Sequence, residues 1–287
     1  MSYPYNFKVV VSGKQVEVYK YQKYVWRGFS RKQFEENNGN NINNDNDNIN
    51  NENNDNNINN NGDVAQKEPR QLDMFEQLKL KKQRMKSSLN RTKTKIRRLT
   101  NANPQLNKFM TLTFAKSTTN IKEANYIFNQ FIKRIVYRYP DFEYLAVPEF
   151  QKDVDFHGRK KENGGSIHYH LICNMPYIEM DALEYTWGQG MVNIRQIGKV
   201  NNLGAYISKY LGKEMFNGKM FGKKKFFRSQ SLFEAIEILG HFAMKFVEKF
   251  CSLLSPVFEK TFESEWIGEV TYTAYSLEFI PFIKGIF

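Results

Sequence analysis

The sequence predicts an α+β fold built on a central antiparallel β-sheet with helices packed on one face. Residues 166–173 alternate β-branched and aromatic side chains, which is typical of a strand. Residues 121–139 carry apolar side chains at helical spacing. Between residues 108 and 213 the predicted elements follow one another as strand, helix, strand, strand, helix, strand and helix. This order is compatible with an antiparallel sheet that carries helices.

The other elements of this domain come from shorter patterns. Alternation predicts strands over residues 108–114, 143–150 and 190–197, and a short helix is predicted over residues 178–187. Residues 152–165 are polar and contain glycine, so we expect a loop. A turn signal at residues 101–104 indicates that the domain begins near residue 104, and we expect it to extend to residue 230.

The chain begins with a predicted hairpin, which an Asn-rich segment follows. Residues 1–36 contain two alternating stretches around a Ser-Gly-Lys turn, which predicts a β-hairpin. The sequence leaves open whether this hairpin joins the central sheet. Residues 37–66 are mostly asparagine and bury too little apolar surface to order themselves, so we expect a disordered linker.

A basic helix is predicted over residues 67–103. Between residues 67 and 100 there are twelve Lys or Arg and three acidic residues. Such a density of charge attracts duplex DNA through counterion release, so we expect a DNA-binding arm, with a solvated basic helix as the alternative. The residues expected to contact DNA are Lys93, Lys95, Arg97 and Arg98.

Residues 231–287 end the chain with a second helical pattern. Apolar side chains at three- and four-residue spacing predict one long amphipathic helix over residues 231–254, which Pro256 ends. We expect this helix to pack on the central domain, with a dimer contact as the alternative. Residues 266–287 are apolar and aromatic, which predicts a last strand or two against the same core.

Composition points to a polyanionic partner. The formal charge is +12 and the pI is near 9.4. The two cysteines exclude a disulfide framework. There is no secretion signal, and no apolar run reaches the roughly 20 residues that a membrane span needs. We therefore expect a soluble cytoplasmic protein with access to DNA and no membrane partner.

His168 and His170 are the first candidate site residues. Side chains two apart on a strand share one face, so both imidazoles project together. Two such nitrogens make half of a metal site that suits Zn, Mn, Fe or Cu, and an added carboxylate widens the choice toward Mg or Mn. Two histidines on a solvent-facing sheet surface are the alternative.

Residues 203–213 carry a second candidate group on a predicted helix. At about 100° per residue, one sector of the helix holds two phenols and two ammonium groups. These are Tyr206, Lys209, Tyr210 and Lys213. The neighbouring sector is aliphatic and is expected to pack on the core.

His-Tyr-His at residues 168–170 and Tyr-x-x-Lys-Tyr at residues 206–210 together resemble the HUH endonucleases. More narrowly they resemble the rolling-circle replication initiators of plasmids and single-stranded DNA phages. Three further stretches, residues 109–114, 147–151 and 223–229, resemble that family's first strand, its acidic strand and its basic run. The resemblance covers residues 107–229, less than half of the chain.

The resemblance implies a nicking and joining enzyme that acts on one strand of an origin. Divalent Mg or Mn would be held by His168, His170 and Glu149, with four residues of the long loop as alternatives to Glu149. Those four are Asp153, Asp155, His157 and Glu162. Tyr206 would form a 5′-phosphotyrosine link and free a 3′-OH, with Lys209 beside it. Tyr210 would be a second nucleophile or a packing residue. Further DNA contacts would come from Lys213, Lys223, Lys224, Lys225 and Arg228.

The partners implied are single-stranded and origin DNA. No phosphate-binding Gly-x-x-x-x-Gly-Lys-Ser/Thr motif is present, so a host helicase and polymerase would act beside the protein. A conjugative relaxase or single-strand transposase would use the same chemistry. A sequence-specific DNA-binding protein and a nuclease that activates water are alternatives from other classes. The sequence leaves the oligomeric state open.

Overall fold

The computed structural model describes residues 4–26, 73–154, 157–162, 164–197, 203–205, 207, 222–264 and 266–277. They form two five-stranded antiparallel sheets together with helices, which confirms the predicted α+β class. The strands are β1 (Pro4–Ser12), β2 (Gln15–Trp26), β3 (Lys108–Thr113), β4 (Tyr144–Phe150), β5 (Ile167–Cys173), β6 (Val192–Gln196), β7 (Phe227–Arg228), β8 (Ile236–Leu239), β9 (Phe258–Ser264) and β10 (Gly268–Ser276). The helices are α1 (Met74–Ala102), α2 (Ile121–Arg138), α3 (Met180–Trp187) and α4 (Gly240–Phe250).

The central sheet has the strand order β6-β3-β5-β4-β7. Its four longer strands and the helices α2 and α3 lie where the sequence predicted them. One face packs against α2 and α3, and Tyr169 of β5 stacks on Phe128 of α2 with ring centres 4.3 Å apart. Both rings are fully buried. Stacking of buried rings adds to the free energy gained by removing them from water.

The second face of the central sheet is covered by α1, so the prediction of helices on one face only was wrong. Val147 of β4 and Ile172 of β5 point to this face and are buried with Leu99 of α1. Aliphatic side chains on both faces of a strand require cover on both sides. The helix α1 begins with a capping box in which the Glu76 N–H donates to the Asp73 carboxylate at 2.7 Å.

A terminal sheet combines both ends of the chain in the order β8-β1-β2-β10-β9. The predicted hairpin is confirmed as β1 and β2. The sequence left open whether it joins the central sheet, and in the structure it pairs with C-terminal strands instead. A strand in the predicted tail is confirmed as β10, but it pairs with β2 and not with the central sheet, so its predicted packing partner was wrong. The strand β9 lies before the predicted tail.

One helix was predicted over residues 231–254. This prediction was wrong about where the helix starts and about what it packs against. Residues Ile236–Leu239 form β8, which pairs with β1, and the helix α4 begins only at Gly240. Gly240 has a φ of +59°, a conformation that favours glycine and separates strand from helix. The helix covers the valines of the hairpin instead of the central domain, because those valines form an apolar face of the terminal sheet.

The helix α1 lies between the two sheets. Its aliphatic side faces the central sheet, and Arg97 and Arg98 bind the buried carboxylate of Glu17 on the terminal sheet. At the β1–β2 turn, a Cβ on Gly13 would lie 2.1 Å from the Asn101 carbonyl oxygen, so only glycine fits this close approach.

The Asn-rich segment at residues 37–66 lies outside the described residues. Within the described chain, no helix is both long enough and apolar enough to cross a bilayer.

Candidate active site

Glu149, His168 and His170 lie on one face of the central sheet. In the β4–β5 pairing Glu149 is opposite His168, and Val147 is opposite His170. Directly paired residues share a face, and diagonal neighbours remain within reach of long side chains. We call the face that carries these three residues the site face. It is the face that α1 covers through Val147 and Ile172.

His170 is held from three sides. Its Nδ1 lies 3.1 Å from the Thr111 hydroxyl of β3, and its Nε2 contacts the Glu149 carboxylate directly. Phe109 stacks on its ring, with centres 5.8 Å apart and planes 22° apart. The guanidinium of Arg195 in turn lies 5.4 Å from the centre of the Phe109 ring. These contacts fix the orientation of the imidazole before any ligand binds.

His168 is held in the neutral form. Burial of the imidazole, with smaller contributions from His170 and Lys161, lowers the pKa of His168 below its ordinary value, although Glu149 opposes this shift. A neutral imidazole has a free lone pair, which is the form that binds a metal ion.

The types of donor atom fit a divalent cation, although in this structure the Glu149 carboxylate contacts the Nε2 atom of His170. No group of three His, Cys, Asp or Glu side chains in the described ranges is already spaced to hold an ion. Glu149 contacts His170 directly, and the ring centres of His168 and His170 are 6.4 Å apart. Two imidazoles and one carboxylate on a half-buried face are nevertheless the ligand set that Mn and related cations accept.

The alternatives to Glu149 differ in their surroundings. The Asp153 carboxylate accepts the backbone N–H of Gly165 at 2.7 Å and so stabilises its own loop. His157 and Glu162 are exposed, and Asp155 lies outside the described residues. Among the four loop residues and Glu149, a contact with His170 is observed for Glu149.

Tyr206, Lys209, Tyr210 and Lys213 lie outside the residues whose side chains the structure describes. The residues around Tyr206 are informative, because Ile207 is fully buried in the cluster that contains Val147 and Ile172 of the site face. The backbone N–H of Gly204 donates to the Asn101 side chain of α1 at 2.8 Å. The stretch that flanks Tyr206 therefore packs on the same face as the histidines.

Several of the residues predicted to contact DNA already bind other side chains of the protein. Arg97 and Arg98 bind Glu17, so their charges are engaged within the fold. Lys225 contacts the Ser88 hydroxyl, Arg228 binds Glu234 at 2.6 Å, and Lys95 lies 3.6 Å from the same carboxylate. Lys223 and Lys224 belong to the same basic run, and Lys93 is exposed in part with its pKa lowered by burial. The contact with DNA stays a prediction for all of them.

Sequence reasoning missed Phe109, Thr111 and Arg195 as neighbours of the histidines. Alternation along β3 could place Phe109 and Thr111 on one face. It could not show that this face is the one that carries His170, because that depends on the register in which β3 pairs with β5.

The lowered pKa of His168 predicts a loss of stability in acid. Below the ordinary value of 6.5 the unfolded chain takes up a proton that the folded chain refuses. The free energy of unfolding therefore falls as the pH decreases from 6.5, and this fall ends below the folded-state pKa. In EDTA, we expect the Tm of His168→Gln to fall less than that of the wild type between about pH 7.5 and about pH 5. Equal decreases in Tm for His168→Gln and the wild type would contradict the prediction. His241→Gln, at an exposed position on α4, serves as the control.

Comparison with known proteins gave one match. Neither the curated proteins nor the solved structures include a match to the chain. The model of the replication-associated protein ORF2 family matches residues 107–215. That segment contains β3 to β6, Glu149, both histidines and the tyrosine motif. Over residues 107–215 the chain is therefore similar to replication-associated proteins of the ORF2 family.

Proposed function

We propose that the protein is a replication initiator of the HUH type that nicks one DNA strand at an origin and later rejoins it. The observation that carries the proposal is the site face. Glu149, His168 and His170 share that face, and Ile207, which directly follows Tyr206, is buried against the same face. The match to replication-associated proteins supports DNA replication as the process.

In the proposed reaction Tyr206 is the nucleophile. Its hydroxyl loses a proton and its oxygen attacks the phosphorus of one phosphodiester, while the bond from phosphorus to O3′ breaks and O3′ takes up a proton. The products are a 5′-phosphotyrosine and a free 3′-OH. Lys209, three residues along the helix pattern, would favour the phenolate and neutralise charge on the phosphate. Because the phosphotyrosine keeps the energy of the broken bond, the reverse attack rejoins DNA.

Glu149, His168 and His170 would hold Mg²⁺ or Mn²⁺. When bound, such an ion polarises a non-bridging phosphate oxygen and orients the scissile group. The chain's part is to keep His168 neutral and to hold His170 through Thr111 and Phe109. Tyr210 would serve as the second nucleophile in joining. A host helicase and polymerase would separate and extend the strands.

The test is a search for a covalent protein–DNA band on a denaturing gel. Labelled single-stranded DNA from the protein's own origin is incubated with Mn²⁺ or Mg²⁺, and then with EDTA, using the wild type, Tyr206→Phe, Tyr210→Phe and the double variant. We expect a metal-dependent band that Tyr206→Phe removes or strongly reduces and that the double variant lacks entirely.

Other outcomes would favour the alternatives. Cleavage without a covalent band would indicate a nuclease that activates water. Tight binding with neither cleavage nor a band would indicate a DNA-binding protein without this activity. A band with DNA from a transfer origin or a transposon end, but not from a replication origin, would indicate a relaxase or a transposase.

Thr111→Val tests how the site is held together. Valine keeps the shape of the side chain but removes the hydroxyl 3.1 Å from His170 Nδ1. Groups that orient metal ligands typically contribute about 10- to 100-fold to metal affinity, so we expect Mn²⁺ affinity to fall by about tenfold or more in a calorimetric titration. Thr271→Val on β10 of the terminal sheet, away from the site face, is the control. Unchanged affinity in Thr111→Val would show that the hydroxyl does not position His170.

A further inference from the structure

Five aromatic rings form a continuous band across the terminal sheet. The rings of Tyr5, Tyr21, Tyr19, Tyr272 and Phe258 follow one another across β1, β2, β10 and β9. Neighbouring ring centres are 6.1, 6.3, 5.0 and 6.0 Å apart in that order. We call these five residues the aromatic band. It lies on the face opposite to α4, whose apolar side covers the hairpin valines.

The band is not the core of the terminal sheet. Its outermost ring, Phe258, is 54% exposed, and the three central tyrosines are half-buried. Two of those tyrosines are fixed through their hydroxyl groups. Arg98 donates to the Tyr19 oxygen at 2.9 Å, and the Tyr272 hydroxyl donates to Glu17 at 3.0 Å. The rings are therefore held in place while parts of them remain accessible.

The charges around the band favour an anionic ligand. Of the described strand residues on this face, the carboxylates are Glu17 and Glu237. Glu17 is 4% exposed and binds two arginines, and Glu237 binds Lys8 at 2.9 Å. Lys260 pairs with Tyr272 across β9 and β10 and shares its face. A polyanion that approaches the band therefore meets Lys260, while Lys8 and the two arginines neutralise the carboxylates.

We propose that the aromatic band binds single-stranded DNA by stacking on its unpaired bases, with the flanking lysines contacting its phosphates. Rings spaced along a sheet and flanked by positive charge are the arrangement that binds single strands without reading their sequence. A duplex does not present the faces of its bases, so it cannot use this surface in the same way. The proposal deepens the proposed function, on which the choice of DNA rests.

The location of α1 links this surface to the site face. The helix lies on the band's face of the terminal sheet, where Arg98 donates to Tyr19 of the band, and it packs on the site face through Leu99. Single-stranded DNA held on the band is therefore connected through one helix, α1, to the face that carries Glu149 and the histidines.

Phe258→Ala provides the test. Binding of the full chain to a labelled oligodeoxythymidylate is measured by fluorescence anisotropy. EDTA is present to prevent metal-dependent cleavage, so the measurement reports binding alone. Stacking on one ring typically corresponds to about tenfold or more in affinity, so we expect a loss of about tenfold for Phe258→Ala and a larger loss for the double variant with Tyr21→Ala. Phe258→Tyr should keep the wild-type affinity because it keeps the ring. Phe242→Ala, which removes a 75% exposed phenylalanine on α4, should also leave the affinity unchanged.

Several results would overturn the proposal. Equal affinity of Phe258→Ala, the double variant and Phe242→Ala would show that the band does not bind DNA. An equal loss for duplex and single-stranded DNA would exclude stacking on unpaired bases. A change in sedimentation without a change in DNA affinity would make the band a contact between copies of the chain. The covalent-band assay is a separate measurement, so a failure of the nicking proposal would be recognised independently.

Discussion

His170→Ala is expected to reduce the rate of covalent protein–DNA adduct formation by about a thousandfold or more. A metal ion that stabilises charge at phosphorus contributes several kcal/mol, and each 1.36 kcal/mol corresponds to tenfold in rate. His170 is the histidine that contacts Glu149, Thr111 and Phe109, so its loss removes a ligand and the centre of the surrounding contacts. The rate is measured in a single turnover with excess protein and saturating Mn²⁺.

His241→Ala provides the matched control for this rate. His241 is exposed on α4, which packs on the terminal sheet and not on the site face. We expect its rate to equal that of the wild type. A circular dichroism melt of both variants separates loss of chemistry from loss of fold. Wild-type rates in a folded His170→Ala would contradict the assignment of His170 as a metal ligand.

Glu17→Gln is expected to lower the free energy of unfolding by about 3 kcal/mol. The Glu17 carboxylate is 4% exposed and binds the guanidinium groups of Arg97 and Arg98. Removing one partner of a buried ion pair leaves the other charge without compensation, and that cost exceeds the net value of the pair. Urea denaturation followed by circular dichroism measures the change.

The matched control for this stability change is Glu237→Gln. Its carboxylate binds Lys8 on the same sheet, but the two side chains are 32% and 18% exposed. Solvent screens such a pair, so we expect a loss below about 1 kcal/mol. Equal losses in the two variants would show that the contact between α1 and the terminal sheet does not depend on a buried charge.

Local periodicity was sufficient for the four longer strands of the central sheet. The period of two along β5 predicted that both histidines would share one face, and the structure confirms this. Tyr169, between them in the chain, is buried on the other face. The helix α2 was equally readable from its apolar spacing. In these elements the information lies within a few residues of the chain, so a single sequence is enough.

Elements whose structure depends on partners far away in the sequence could not be predicted from local periodicity. Residues 236–239 fit the apolar spacing of a helix, but they form β8 because the edge of β1 offers them backbone hydrogen bonds. Arg97 and Arg98 look like DNA contacts in a basic run, yet Glu17 lies 80 positions before Arg97. The same limit applies to Thr111, whose neighbour His170 follows from strand register.

The terminal sheet sets an order on the synthesis and folding of the chain. The side chains of Gln15 and Ser276, which are 261 positions apart, share a hydrogen bond at 3.3 Å. The strand β2 pairs with β10 from Gln15 to Tyr21. Contacts between such distant residues require closure of a very long loop, which slows folding. During synthesis the hairpin cannot pair with β10 until residue 276 has been added, whereas the described strands of the central sheet are complete at residue 228. We therefore expect the central sheet to fold first and the terminal sheet to close only after β10 has been synthesised.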